Sequence, residues 1–322
     1  MKHPIIFLLI VLPLLLSLYA CDKEDDLQIP DTIASAEALK EALEAIHKAS
    51  DVPGFTVAIA KEDAMIYQES FGQADVQANK AYTNQTIQPI GSISKTFIAA
   101  AVVKAIEEGY FTLETPINDL LPFEIKHPDD PDAVIQIKHL VTHTSGLLDH
   151  PNFYLQSYHI LAEEDLGSDG AKIMQESFGI RQRETIPLGD YLKSYYWLEG
   201  SNYGSENFGT IGTWRYSNIA TSLAAYLVEI ATETPFQTYV ITKILRPLGM
   251  YQTAYQISNL DTSLVAKLYW DTNTPLPRYF NDSYPDGSIN TNNEDLSQYL
   301  LNMMKGSKGA SSTLFSKTSH SR

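Results

Sequence analysis

The chain has 322 residues, 44% of them hydrophobic and 19% charged, with a formal net charge of −16. That balance excludes a wholly disordered polypeptide and argues against a nucleic-acid ligand, whose phosphates need a basic surface. The only cysteine, Cys21, has no disulfide partner within the chain, and the eight histidines suggest no metal site, so no cofactor is expected.

Residues 1–20 stand apart from the rest in composition. Met1-Lys2-His3 gives a short basic start, and residues 4–20 are almost unbroken Leu, Ile, Val and Phe. A run this short, closed by a small residue, reads as a signal peptide rather than a membrane span. Leu18-Tyr19-Ala20-Cys21 resembles a bacterial lipobox, which makes Cys21 the expected lipidation site and new N-terminus. Residues 21–33 follow as a linker that opens on the charged run Asp22-Lys23-Glu24-Asp25-Asp26. The expected location is therefore the bacterial cell envelope, with a monomer anchored to the outer membrane by lipid, on its periplasmic or cell-surface side.

Beyond the linker, residues 34–305 read as one domain. Leu39, Leu43 and Ile46 recur at helical spacing within 34–50, and Pro53-Gly54 stops that helix. Residues 55–60 and 65–71 form two apolar runs around the polar turn Lys61-Glu62-Asp63, a predicted β-hairpin. A strong helix is predicted over 93–108, with Gly109 closing it in the left-handed conformation. Further helices are predicted over 218–232, 235–245 and 294–305. The stretch between Asp149 and Gly209 is rich in Tyr, Gly, Ser and charge, and its aromatic segment 191–214 fits core packing better than a cleft wall. Strands first and helices afterwards indicate an α+β arrangement rather than alternating βαβ units.

Three short patterns carry chemistry. Ser92-Ile93-Ser94-Lys95 opens the helix over 93–108, and residues three apart share one helix face. A lysine amine there can accept the serine proton. The bland alternative is that Ser92 merely caps the helix. Tyr216-Ser217-Asn218 immediately precedes a second helix, where the tyrosine can act as a base and Asn218 can hold both a lysine and a substrate amide. Ser217 or Asn218 as a helix cap is the alternative there. His143-Thr144-Ser145-Gly146-Leu147 fits a helix end with a glycine turn, and His143 need not be catalytic.

Taken in order, Ser92-x-x-Lys95, His143-Thr144-Ser145-Gly146-Leu147 and Tyr216-Ser217-Asn218 resemble the β-lactamase-related serine hydrolases. That family includes class C β-lactamases, D-alanyl-D-alanine carboxypeptidases, D-aminopeptidases and esterases. The resemblance runs from about residue 34 to residue 306. It implies a β-lactamase/transpeptidase-like α+β fold, an antiparallel sheet flanked by helices beside a mainly helical region. It further implies a serine hydrolase that acts through an acyl-enzyme on Ser92, with Lys95 and Tyr216 handling the proton and Asn218 binding substrate. The substrate class is a small molecule, peptide or ester: an amide, a β-lactam or an ester. Ser94 and Thr96 receive no role.

The sequence departs from the family at its C-terminal side. A Lys-Thr-Gly or His-x-Gly motif on a downstream core strand is expected, and Ser316-Lys317-Thr318-Ser319 lacks both the glycine and a surrounding strand pattern. Residues 306–322 read instead as a disordered tail, which leaves the last sheet strands missing. The alternative to an active hydrolase is thus a truncated relative, catalytically impaired or limited to ligand binding.

Overall fold

The computed structural model describes residues 34–308 and 312–316. The expected signal peptide, Cys21, the linker before residue 34 and Lys317-Thr318-Ser319 lie outside the described residues.

The chain divides into two units, 1–52 and 53–322. In the first, helix α1 spans Ala36–Ala49. It is capped by Ser35, whose hydroxyl accepts the Ala38 N–H at 3.1 Å.

In the second unit the predicted hairpin is present as strands β1 (Gly54–Lys61) and β2 (Ala64–Asp75), which pair antiparallel with a bulge at Ile59/Ala60. A two-residue strand β3 (Lys80–Ala81) extends this sheet in the order β1-β2-β3. Among the described residues β1 has no strand partner on its other edge, and no β1 side chain is fully buried. A groove of about 970 Å³ runs past Thr56, Ala58, Ile93, Leu296 and Phe315.

The core lies among helices. Strand β4 (Gln88–Pro89) leads through a tight turn at Gly91–Ile93 into helix α2 (Ser94–Glu107). Gly109 then takes the predicted left-handed conformation at φ 83°. Short helices follow at Ile137–Val141 (α3) and Pro151–Gln156 (α4), then strand β5 (Tyr158–Ile160). Helix α5 (Asp169–Phe178), strand β6 (Arg181–Gln182) and helix α6 (Leu188–Tyr196) complete the stretch that the sequence left without elements. Helix α7 (Asn218–Thr232) has the predicted bounds and is buried along most of its length, and α2 packs against it. Alanines 100, 101 and 105 on α2 and 220, 224 and 225 on α7 are all buried, and small side chains let two helices approach closely. Tyr191, Tyr195 and Tyr196 of α6 are buried in the same core, as expected for packing, whereas Trp214 at the end of that segment is 65% exposed beside the His143 ring.

The predicted helix over 235–245 is divided: α-helical at Phe236–Val240 (α8), then a wider π turn at Ile241–Leu245. A small hairpin, β7 (Tyr269–Asp271) and β8 (Thr274–Pro275), precedes β9 (Tyr279–Asn281). Strand β9 pairs antiparallel with β5, which pairs parallel with β6. Strand β10 (Asn290–Thr291) pairs with β4, and helix α9 spans Asn293–Ser307.

The expected disordered tail needs correction at residues 306–308 and 312–316, the part of it that is described. Residues 306 and 307 complete α9, and Leu314 and Phe315 are buried in the main core at 3% and 6% exposure. The Ser316 N–H donates to Glu107 at 2.9 Å. Leu314 and Phe315 are two apolar side chains in a Ser/Gly/Lys-rich stretch, and composition averaged over the segment hid them.

Candidate active site

Ser92 sits in the tight turn before α2 and is exposed on the floor of a cleft of about 1230 Å³. Gly91 enters this turn with φ 53°, a backbone conformation that β-carbon-bearing residues adopt at a cost. The Ser92 hydroxyl is not a helix cap: it accepts from Lys95 Nζ at 3.2 Å and from the Tyr216 hydroxyl at 2.9 Å. Lys95 Nζ also lies 5.2 Å from the centre of the Tyr216 ring. One helical turn on α2 and the residue two before α7 therefore meet at a single oxygen, across 124 residues of sequence.

The loop from His143 to Asp149 explains how Tyr216 is held there. The Arg215 N–H donates to the His143 carbonyl at 2.8 Å, and the Gly212 N–H donates to the Thr144 carbonyl at 2.8 Å. The Gly209 N–H donates to the Gly146 carbonyl at 2.7 Å. Gly146 has φ 72°, and a β-carbon there would fall 2.3 Å from the Gly209 carbonyl oxygen, so only glycine lets the two strands of chain run this close. The His143 ring packs on the Tyr216 ring, with centroids 4.7 Å apart and planes 35° from parallel. Burial, then the nearby Lys95 ammonium, lower the His143 pKa. The neutral ring accepts the Ser217 N–H at Nδ1, 3.3 Å away.

His139 and His143 stand four residues apart, a spacing that also suits two metal ligands and that the sequence reading passed over. Both Nδ1 atoms are taken by main-chain N–H groups, of Gln136 and Ser217 respectively. No group of three or more His, Cys, Asp or Glu that could hold a metal occurs among the described residues.

Asp149, which the sequence analysis did not single out, is the anchor of the second helix. Its carboxylate accepts from Ser217 Oγ (2.8 Å), the Asn218 N–H (2.9 Å), Asn218 Nδ2 (2.8 Å) and the Ile219 N–H (2.9 Å). A carboxylate at a helix N-terminus is favoured by the unpaired N–H groups and by the helix dipole. Asn218 was expected to hold a lysine and a substrate amide; its amide nitrogen donates to Asp149, which leaves the Asn218 Oδ1 as the acceptor, and Lys95 Nζ donates to the main-chain oxygen of Asp286 at 2.8 Å. The only signal of Asp149 in the sequence, an acid three residues past Gly146, has no pattern that ties it to residue 218.

Two more contacts join the site to the segment after β9. Ser94, given no role above, is fully buried, and its hydroxyl accepts the Ile289 N–H at 3.2 Å. Asp286 is buried at 1% exposure with its carboxyl among the hydroxyls of Ser283, Ser222 and Tyr154. Burial pushes this carboxyl up to about 6, against the lowering effect of Lys95.

Comparison with known proteins gives the family and the fold. The family model described as "Beta-lactamase" matches residues 39–169 and 207–322. Esterase EstB of Burkholderia gladioli is 26% identical over 201 residues, which cover 61% of this chain and 45% of the esterase. Penicillin-binding protein 4* of Bacillus subtilis (strain 168) is 25% identical over 198 residues, 62% of this chain and 37% of that protein. The octameric penicillin-binding protein homologue from Pyrococcus abyssi shares the fold, with a TM-score of 0.66 at 22% identity over 89% of this chain and 58% of its own. The chain thus spans less than half the length of these two curated relatives.

Proposed function

The chain belongs to the beta-lactamase family, and from that premise we propose that it is a serine acyl hydrolase with Ser92 as nucleophile. The observation that carries the reading is the convergence of Lys95 and Tyr216 on the Ser92 oxygen, at 3.2 and 2.9 Å. Ser92 Oγ attacks a carbonyl carbon while its proton passes to the Lys95–Tyr216 pair, and the same pair protonates the leaving amine or alkoxide as its bond breaks. Water then attacks the ester on Ser92, giving up a proton to the pair, and the acid leaves as Ser92 regains its hydrogen. The first-turn N–H of Ser92 points to one oxyanion donor, and a donor of this kind is worth about 10²–10³ in rate. Asn218, its amide nitrogen held by Asp149, orients the substrate. The cleft suits an amide, β-lactam or ester, and its tyrosines 154, 158 and 279 offer aromatic contact to the acyl part.

A fluorophosphonate probe should form a covalent adduct on Ser92, mapped by mass spectrometry, and Ser92→Ala should lose it. An adduct that survives Ser92→Ala overturns the assignment. Lys95→Ala and Tyr216→Phe should slow labelling by about 10²–10⁴, the usual scale for an acid–base group.

The second reading is a family member that binds or acylates with little turnover. It is favoured by the β1 edge, which has no strand partner on one side among the described residues. Stoichiometric labelling of Ser92 without hydrolysis of p-nitrophenyl esters, nitrocefin or D-Ala-D-Ala peptides would select it. Anchoring through Cys21 is a separate part of the proposal: a diacylglyceryl mass on the wild type, lost in Cys21→Ser, tests it.

A further inference from the structure

Of the buried acids outside the catalytic set, Asp286 is the one bonded to Lys95, through its main-chain oxygen. Asp286 is 1% exposed, yet its two carboxyl oxygens are met by three hydroxyls: Ser283 Oγ at 2.6 Å and Ser222 Oγ at 3.3 Å on Oδ2, and Tyr154 OH at 3.2 Å on Oδ1. A hydroxyl can donate to an ionised carboxylate and accept from a protonated one, so this shell can satisfy Asp286 in either charge state. The cation whose charge reaches the ionised form is Lys95, whose Nζ donates to the main-chain oxygen of the same residue at 2.8 Å and not to its carboxylate. A buried charge of this kind is tolerated when it is both hydrogen-bonded and paired.

We propose that Asp286 is the buried counter-charge of Lys95, a positioning residue that seats the lysine beside Ser92 and sets the pH at which the Lys95–Tyr216 pair accepts the serine proton. The inference rests on the catalytic reading of Ser92, Lys95 and Tyr216 given above. Its physical content is simple. With Asp286 ionised, loss of a proton from the pair leaves a net negative charge nearby and is opposed. With Asp286 neutral that opposition is gone.

The other charged and titratable groups around the two residues are few. Tyr154 and Tyr158, from α4 and β5, and Tyr191 from α6 feel the Asp286 charge, and burial raises the pKa of each. Asp149 raises Asp286 from the loop side. Around Lys95 stand Ser92, the Tyr216 ring and His143, whose ring Lys95 disfavours charging. None of these supplies a second cation to Asp286, so the coupling runs between Asp286 and Lys95. It must be equal in both directions, because each charge state biases the other by the same free energy.

Two measurements decide it. In protein labelled with ¹³C at the aspartate carboxyl carbons, the Asp286 signal, assigned by its loss in Asp286→Asn, should titrate near 6. In Lys95→Met the midpoint should rise by about one unit, a tenfold change in proton affinity. An unchanged midpoint overturns the pairing. In the second measurement, the pH profile of fluorophosphonate labelling at Ser92 should move about one unit toward lower pH in Asp286→Asn. A uniform loss of rate at every pH, with the profile in place, marks a merely structural residue and overturns the proposal. Should Asp286→Asn fail to fold, Tyr154→Phe removes one donor, and both the Asp286 midpoint and the step it causes in the labelling profile should move to higher pH. If neither moves, the proposal fails. A wild type that never labels at Ser92 defeats the catalytic reading instead, while the carbon titration in Lys95→Met still decides the pairing.

Discussion

Two helices begin at the site, and they treat their N-termini in opposite ways. At α7 the first N–H groups are answered in full: Ser217 Oγ accepts from Ala220 N at 3.0 Å, and Asp149 takes the N–H groups of Asn218 and Ile219. At α2 no side chain caps the helix. The Ser94 hydroxyl accepts the Ile289 N–H, and that of Ser92 accepts from Lys95 and Tyr216. A serine ahead of a helix is ordinarily a cap, and Ser217 is one. Ser92 is the exception, and its release from capping is what leaves its oxygen open to the cleft. The contrast separates a helix end built for stability from one built around a reactive group.

Substitutions at the two ends should therefore fail in different ways. Ser92→Ala should cost at least about 10⁴ in acyl transfer, the scale seen when a nucleophile is removed. Its unfolding free energy should change by less than about 0.5 kcal/mol, because no cap or buried partner is lost. Urea melts alongside labelling rates check both halves, and a large stability loss would place Ser92 among the structural caps after all. Asp149→Ala should do the reverse. It orphans four donors at a half-buried helix end, for an expected loss of about 3–4 kcal/mol. Labelling should also slow, since Tyr216 and Asn218 flank the loosened turn. A variant as stable as wild type would show that the loop contacts around Gly146 hold α7 without the carboxylate.

The same contrast explains what could be read from the sequence. The hairpin, α2, α7 and α9 were legible because apolar periodicity and stop signals are local, and α7 had the predicted bounds. Ser92, Lys95 and Tyr216 were legible as an ordered set, and the structure brings all three together. What could not be read depends on pairings across the chain. Asp149 meets residues 217–219, Asp286 meets Lys95, and Ser94 meets Ile289 only because the fold places them so. The stretch between Asp149 and Gly209 hid its elements because they are short: a ten-residue helix, two of six and nine, and strands of two or three residues. The division of the 235–245 helix into α and π turns leaves no trace in periodicity. Leu314 and Phe315 were missed for the opposite reason, since a local composition average overruled two residues with a place in the core.

The buried acid under Lys95 gives the contrast a pH dependence. Its carboxyl pKa is raised from 3.8 to about 6, so between those values the folded state binds the proton more tightly than the unfolded chain does. Stability from this group therefore rises as pH falls from above 6 toward 4, and at neutral pH the ionised form carries its full cost. Two units correspond to at most about 3 kcal/mol. Asp286→Asn, which has no charge to bury, should gain on wild type in urea melts at pH 7.5 and lose that gain by pH 4.5. A difference between the two proteins that stays flat with pH would mean that Asp286 is not the group being titrated.

The smallest effect is the sharpest test of which group holds α7. Ser217 is fully buried, and its hydroxyl has two tasks: it accepts from Ala220 N and donates to Asp149 Oδ1 at 2.8 Å. Ser217→Ala removes one cap bond and one of the four donors on the carboxylate, but Asp149 keeps the N–H groups of Asn218 and Ile219 and the Asn218 side chain. The helix thus retains its anion, and the expected loss is about 1 kcal/mol, the usual value of an N-cap serine. Labelling at Ser92 should fall only a few-fold, because Tyr216 is still held by the His143 ring and by the Arg215 bond to the His143 carbonyl. Urea melts of Ser217→Ala, Asp149→Ala and the double variant form a cycle that isolates the coupling between the two side chains. If Ser217→Ala costs as much as Asp149→Ala, and the double variant costs no more than either, the hydroxyl is the anchor and the carboxylate acts only through it. If the losses rank as expected, with the carboxylate several times the hydroxyl, the charge at the helix end is what fixes Tyr216 and Asn218 beside Ser92.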